Sequence, residues 1–326
     1  MESIWDLGIQ LIIALQSLGS WLEVPMRGLS FLGQQEFYLL VAPAIYWCYD
    51  SSAGLKVGLY LMLSIGFNAF FKLAFLQPRP YWYSDKVIAY WGETSFGLPS
   101  GHAMNSTVFF GALGREIRQK WAYWAAGVLA FLVGLSRIYL AAHFPTDVLA
   151  GWLLGILLLW GIAKLEKPAV AWLQGRAFWQ QAAAAFGVSL LIIVPSALIL
   201  TLSAGWEMSF AWQANIIKTT GSLFPLDAPR SLESVFTASG AFFGMAVGAL
   251  WLNIKGGFAA RPRDIRFIAA RLVLGVIVVL ALYMGLGVFQ PDEESLVSYL
   301  IRYGRYTLIG VWISAGAPLV FNLLKI

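Results

Sequence analysis

Runs of about twenty apolar residues recur along almost the whole chain, and no other feature restricts its fold so strongly. A helix crossing bilayer hydrocarbon needs about 20 mostly apolar residues, because its backbone polar groups must be paired internally. Such runs lie near residues 37–50, 55–76, 101–116, 121–142, 146–164, 181–202, 234–253, 268–289 and 302–323, the first and third being shorter than the rest. They are continuous rather than alternating, which argues against a transmembrane β-barrel. Of the 326 residues 59% are hydrophobic and 12% charged, where a soluble domain has about 25% charged residues. The mean hydropathy is +0.71. The expected fold class is all-α, a polytopic transmembrane helical bundle.

The connections sort by charge. One set carries Lys56, then Arg115, Arg118 and Lys120, then Lys164, Lys167 and Arg176, then Lys255, Arg261, Arg263 and Arg266. The opposite set has fewer basic residues and includes the acidic "QPDEES". Positive loops face the cytoplasm, so the ends of the second and fourth runs and the starts of the third and fifth face outward. No secretory signal pattern opens the chain, and residues 3–17 read as an amphipathic helix lying in the interface. A net charge of +5 suggests no nucleic-acid surface. The single cysteine, Cys48, reads as a small buried hydrophobe.

Against this apolar background, "LSRIYLAAHFPTD" places Arg137, His143 and Asp147 within eleven positions. A charged side chain at membrane depth costs at least about 2.5–3.5 kcal/mol at a helix centre, so such residues need a reason. They fall in three clusters. "KLAFLQPRP" ends the second run with Lys72 and Arg79, "LPSGHAMNS" opens the third with Ser100, Gly101 and His102, and the third cluster runs from the fourth into the fifth. Antiparallel helices bring all three to one membrane face. Both histidines of the chain belong to this set.

Lys72, Arg79 and Arg137 are three cations with one evident carboxylate nearby, Asp147. The missing anion is read as a phosphate, which arginine forks bind bidentately and lysine as a point charge. "PSGH" opens a helix, and the N–H groups around Ser100 and Gly101 offer a seat for an anion. One imidazole can attack phosphorus while the other protonates the leaving oxygen. Asp147, four residues after His143, can fix a ring tautomer. The spacing alone leaves open which histidine does which. Three cations oppose a divalent metal, so no metal and no cofactor is expected.

At these residues the chain resembles the type 2 phosphatidic acid phosphatase superfamily, which also includes the vanadium-dependent haloperoxidases. The three-part signature stands here as Lys72–Arg79–Pro80, Pro99–Ser100–Gly101–His102 and Ser136–Arg137–His143–Asp147. The resemblance implies a six-helix-type core and metal-independent phosphoester hydrolysis through a phosphohistidine. It implies His143 as nucleophile, Asp147 as its orienting acid and His102 as general acid. Phosphate binding falls to Lys72, Arg79, Ser100, Gly101 and Arg137. Membrane-embedded members mostly act on lipid phosphates, so the expected partners are a lipid phosphate substrate and membrane lipids. The candidates are a polyprenyl diphosphate, phosphatidate, phosphatidylglycerol phosphate or a sphingoid phosphate. A phosphate-lipid transporter or scramblase, or a phosphotransferase using the same pocket, is the alternative.

The expected domains are an interfacial segment at 1–30, a phosphatase core at 31–165 and a transmembrane extension at 166–326. The expected location is a cell membrane, with the site on the extracytoplasmic side. Within the extension, Gly240, Gly244 and Gly248 are one helical turn apart, as are Gly151 and Gly155 in the core, and both sets read as helix packing within the monomer. The aromatic "YWYSDKVIAYWGE" at 81–93 reads as an interfacial belt, Lys86 as a solvated lysine, and Arg302 and Arg305 as headgroup anchors.

Overall fold

Continuous apolar runs without turn punctuation give helices and nothing else among the described residues. The computed structural model describes residues 3–221, 228–260 and 264–326; the loop residues Arg261 and Arg263 lie outside them. In chain order the helices are α1 (Ile4–Gln16), α2 (Glu23–Phe31), α3 (Gln35–Ala44), α4 (Ser51–Phe75), α5 (Pro80–Tyr83), α6 (Gly101–Ile117) and α7 (Lys120–Tyr139). They continue with α8 (Pro145–Leu173), α9 (Phe178–Leu202), α10 (Phe210–Thr220), α11 (Glu233–Ile254), α12 (Ile265–Gly287), α13 (Leu296–Val311) and α14 (Ala317–Leu324).

Seven segments among the described residues are long and apolar enough to cross a membrane: Ser51–Tyr83, α7, α8, α9, α11, α12 and Leu296–Leu324. The sequence suggests nine. The two that fall short are the 37–50 run, where α3 is 10 residues long and continues as a five-residue π-helix over Ile45–Tyr49, and α6, with 17 residues. At 1.5 Å per residue, these cover less than the roughly 30 Å of hydrocarbon. The N-terminal pair, Ile4–Gln16 and Ser20–Phe31, passes the same test only jointly and is bent by 92°.

The chain divides into two compact units. The first comprises Met1–Phe37, Asn68–Leu158 and Ser196–Ser231, and the second Tyr38–Phe67, Leu159–Pro195 and Leu232–Ile326. In the first unit α1 starts at a capping box: Ser3 Oγ accepts from Asp6 N at 3.2 Å and Asp6 Oδ2 accepts from Ser3 N at 3.0 Å, a device that stabilises a helix start by about 1 kcal/mol. Its two faces differ as an amphipathic helix requires. Ile9 and Ile12 are buried against Phe144, Val148 and Trp82, while Leu7 and Leu11 are exposed.

A short hairpin aligns the helix ends that matter. Arg118 adopts the left-handed conformation (φ +60°) that stops α6, and α7 begins two residues later. The start of α6 and the end of α7 therefore share one end of the hairpin. α8 packs on α6 through small residues: a Cβ at Gly151 would lie 2.6 Å from Ser100 O, so only glycine permits that approach. Residues 206–216 close the unit, with Trp206 against Phe96 at 5.1 Å between ring centroids and Asn215 donating to the carbonyls of Trp82 and Tyr83.

In the second unit α11 and α13 meet along the predicted glycine stripe. Cβ atoms at Gly240 and Gly244 would sit 2.5 and 2.1 Å from the carbonyl oxygens of Tyr303 and Thr307. Arg302 pairs with Glu233, and Arg305 is buried with its Cζ 4.2 Å from the Tyr283 ring centroid, so both meet partners inside the protein rather than serving only as headgroup anchors. Cys48 is half-buried, its Sγ 4.0 Å from Ile268 O.

Candidate active site

The geometry starts from the turn between α7 and α8. Ala141 takes a left-handed backbone (φ +54°), and the amides of Ala142 and His143 both fold back to donate to Arg137 O at 3.1 and 3.2 Å. Such a conformation costs a non-glycine residue about 1 kcal/mol or more, and the surrounding hydrogen bonds hold it. Pro145 then opens α8 and puts Asp147 in its first turn. Asp147 Oδ2 accepts from Phe144 N at 3.0 Å and lies 3.3 Å from His143 Nδ1. The hydrogen bonds assign the tautomer: Nδ1 carries the proton toward the carboxylate, leaving a lone pair on Nε2. Burial, followed by the nearby charges of Arg79 and Lys72, pushes the His143 pKa well below the ordinary imidazole range, so the ring is neutral at pH 7.

Arg79 is the cation that reaches Nε2. Arg79 Nη1 sits 3.2 Å from it and also donates to Ala142 O at 2.7 Å. The rest of the Arg79 guanidinium is tied to the loop before α6: Nε to Ser95 O at 2.5 Å, and Nη2 to Ser95 Oγ at 2.9 Å and Phe96 O at 3.2 Å. Lys72 Nζ donates to the same Ser95 Oγ at 3.1 Å and to Phe96 O. Arg137 Nη1 donates to Ser30 Oγ and its Nη2 to Glu93 Oε1, both at 2.6 Å. Arg79 and Arg137 are fully buried; the Arg79 guanidinium is paired at Nε, Nη1 and Nη2, while Arg137 is held by Ser30 and by the Glu93 carboxylate.

Ser100 is the N-cap of α6, its Oγ accepting from Ala103 N at 3.4 Å. Its own amide donates to Asp147 O at 2.9 Å. The amides free to face an anion at this helix end are therefore those of Gly101 and His102, one residue further on than the sequence suggests. Gly101 lies under Asn68, whose Oδ1 would be 3.0 Å from a Cβ there. His102 is partly exposed, and its Nε2 has no partner among the described residues. It lies close enough to Arg137, Glu93, Arg79 and Lys72 to feel their charges, and His143 feels its charge in turn. All eight residues singled out by the sequence, Lys72, Arg79, Ser100, Gly101, His102, Arg137, His143 and Asp147, thus belong to one unit and gather in one cluster.

Comparison with known proteins places this arrangement. The model of the PAP2 superfamily matches residues 53–171, and that of the PAP2 superfamily phosphatase, transmembrane extension, matches residues 236–326. Phosphatidylglycerophosphatase B of Bacillus subtilis is 31% identical over 160 residues, covering 45% of this chain and 76% of its own length. The chain belongs to the PAP2 superfamily. It is also similar to Glucose-6-phosphatase 3 of Homo sapiens, 29% identical over 65% of this chain and 67% of that protein. Glucose-6-phosphatase 3 of Mus musculus is 28% identical and matches 100% of this chain and 97% of its own. The present chain is an integral-membrane PAP2-type phosphatase, a hydrolase of phosphate monoester or diphosphate bonds in phosphorylated lipid or sugar substrates.

Four residues of this PAP2 pocket escape the sequence reading. Ser95 bridges Lys72 and Arg79, Ser30 binds Arg137, and Asn68 donates to Pro99 O at 3.2 Å. The fourth corrects the charge balance: Glu93 is a second carboxylate among the cations, 2.6 Å from Arg137 and 3.9 Å from Arg79. Asn68 was readable, one turn before Lys72 on the same helix face. Glu93 was not, because its segment is rich in tyrosine and tryptophan and reads as an interfacial belt. That belt is also corrected: Tyr81 and Trp82 are buried in the core, Tyr90 stacks on Tyr139, and Trp91 lies against Arg27 and Arg137. Lys86 is exposed, as expected of a solvated lysine.

Proposed function

We propose that the chain dephosphorylates a membrane lipid phosphate, with His143 as nucleophile, Asp147 as its orienting acid and His102 as general acid. The observation that supports this best is the His143 ring, hydrogen-bonded to Asp147 through Nδ1 while Nε2 faces Arg79. Nε2 attacks phosphorus as the ester P–O bond breaks, and His102 gives its proton to the leaving oxygen. Water then attacks the phosphohistidine, His102 taking back a proton, and His143 and inorganic phosphate are restored. Charge spreading over the phosphoryl oxygens is stabilised by Lys72, Arg79, Arg137 and the amides at the start of α6, Ser100 holding that helix end in place. No step calls for a metal.

The lipid tail stays in the bilayer while the headgroup enters, and the excess of lysine and arginine on the opposite loops supports a site on the extracytoplasmic side of a cell membrane. The relative named Phosphatidylglycerophosphatase B supports a lipid substrate. A second reading, a sugar phosphate, is favoured by the whole-chain match to Glucose-6-phosphatase 3. We assign the motifs to a phosphatase core at 31–165, with 1–30 as an interfacial segment and 166–326 as a transmembrane extension.

Phosphate release by the purified protein in detergent, from phosphatidylglycerophosphate, phosphatidate, a sphingoid phosphate, a polyprenyl diphosphate and glucose 6-phosphate, tests the substrate class. Turnover of a lipid phosphate well above that of the sugar is expected; the reverse order overturns the lipid reading. His143→Ala is expected to abolish turnover and an acid-labile radiolabelled phosphoenzyme together. EDTA is expected to leave activity intact, and inhibition by EDTA that added metal reverses would overturn the mechanism.

A further inference from the structure

The pocket holds an anion of its own. Glu93 Oε1 accepts from Arg137 Nη2 at 2.6 Å and from Trp91 Nε1 at 3.2 Å, and Oε2 lies 3.9 Å from Arg79 Nη2. Its backbone is pinned on both sides by one hydroxyl: Tyr81 OH donates to Glu93 O at 2.7 Å and accepts from Glu93 N at 2.8 Å. The side chain is nevertheless 26% exposed, whereas those of Arg79 and Arg137 are 1% and 0% exposed. It reaches the arginines from the rim and can leave by rotating about its own side-chain bonds. Meanwhile Arg137 Nε and His102 Nε2 are buried with no partner among the described residues. The pocket therefore has donors to spare while its best fork is filled.

Charge decides what happens when phosphate arrives. In the resting site, before His102 carries the proton it gives in catalysis, the formal charges of Lys72, Arg79 and Arg137 face those of Glu93 and Asp147, leaving one net positive charge. A phosphate monoester carries about −1.5 to −2 at neutral pH, more than that surplus can balance. With Glu93 turned to solvent the surplus is two, which matches a dianion. Neutralisation is not an available route: although burial pushes the Glu93 carboxyl up, Arg79 and Arg137 hold it down to about 2. Phosphate and Glu93 are thus competitors for Arg137 Nη2.

We infer that Glu93 is the resident counter-ion of the phosphate seat, displaced toward solvent when substrate binds and returning to Arg137 as inorganic phosphate leaves. It thereby sets how weakly the enzyme holds its product. The inference rests on the phosphatase reading of this pocket and adds a specificity residue to it. Competition keeps phosphate affinity low and frees the site for the next turnover.

The test is competitive inhibition of the full-length enzyme by inorganic phosphate and by orthovanadate. In Glu93→Gln the inhibition constants are expected to fall about 10- to 100-fold, the range of one charge-assisted hydrogen bond. KM and kcat should fall with them, because product release slows. Glu93→Asp keeps the charge but cannot reach Arg137 from a pinned backbone, so its inhibition constants should also fall, by a smaller factor. A merely structural Glu93 predicts the opposite, weaker inhibition in both variants. Unchanged or raised constants in the glutamine variant overturn the inference, and if that variant does not fold, the aspartate variant decides by the same sign. Absence of phosphate release by the unmodified enzyme from every phosphoester offered would instead overturn the phosphatase site itself.

Discussion

The two units use similar apolar composition in opposite ways. In the first, Arg79, Arg137, His143 and Asp147 are each at most 3% exposed and are held by hydrogen bonds to one another, to Ser30 and Ser95, and to backbone carbonyls. In the second, the α11–α13 seam is held by close backbone approach at Gly240, Gly244 and Gly248, with Thr307 Oγ1 donating to Gly240 O at 3.2 Å. Its buried arginines end on carbonyls and rings, Arg271 on Trp47 O at 2.5 Å and Arg305 over Tyr283. Taking an ion out of water still costs several kcal/mol after relaxation, so a cluster of paired ions is a poor way to hold helices together. Small-residue packing does that more cheaply. The first unit bears that cost at the residues to which the proposed chemistry is assigned.

Substitutions that remove a charge or fill a gap should separate these roles. The largest effect belongs to Asp147→Asn, which keeps the shape beside His143 Nδ1 but can present an amide N–H there and favour the wrong tautomer. Loss of the equivalent carboxylate in a serine-protease triad costs about 10⁴-fold in kcat, and a drop of about 10³–10⁴-fold is expected here in steady-state phosphate release. Retention of more than a tenth of the activity would mean Asp147 does not orient the nucleophile. Next in size is Gly244→Val. A Cβ there would lie 2.1 Å from Thr307 O, and backbone cannot give way as a side-chain tip can. Overpacking of this kind costs about 1–3 kcal/mol and should lower the unfolding midpoint in detergent. Gly161→Ala is the control, since nothing lies within 4 Å of a Cβ at that position; its midpoint should stay level or rise, by up to about 1 kcal/mol of stability.

The same contrast explains what the sequence could disclose. A charge inside an apolar run is conspicuous, so Lys72, Arg79, Arg137, His102, His143 and Asp147 stand out, and antiparallel helices suffice to gather them. The α11–α13 seam is equally readable, because three glycines one turn apart have few other uses in a membrane helix. Ser30, Ser95 and Glu93 reach the pocket along loops and short helices whose paths follow no period. Their contacts depend on local hydrogen bonds such as Tyr81 OH with the Glu93 backbone. One clue to Glu93 was available: three buried cations and one carboxylate leave a deficit, and between the first two motifs only Asp85 and Glu93 could fill it. Asp85 pairs with Lys218 instead. The shortfall of α6 as a spanning helix is likewise a matter of boundaries, since Arg118 ends it after 17 residues.

The smallest effect expected is in how acid destabilises the charged unit, and it distinguishes two of its members. His143 is buried and faces Arg79, Lys72, Arg137, His102 and Asp147; its folded pKa lies well below the unfolded imidazole value, which is about 6.5. The unfolded chain takes up that proton first, so the stability due to neutral His143 is complete above pH of about 6.5 and declines below it. Glu93 faces Arg79, Arg137, His102 and Lys72 and is held down to about 2. Its contribution is complete above the ordinary glutamate value of about 4.3 and is lost as the pH falls further. Both terms have the same sign but occupy different windows. Thermal midpoints measured from neutral pH downward should therefore fall in two stages for the unmodified protein. Glu93→Gln should keep the first stage and flatten the second. If the substitution altered the first stage and left the second intact, Glu93 would not be the anion that Arg137 holds.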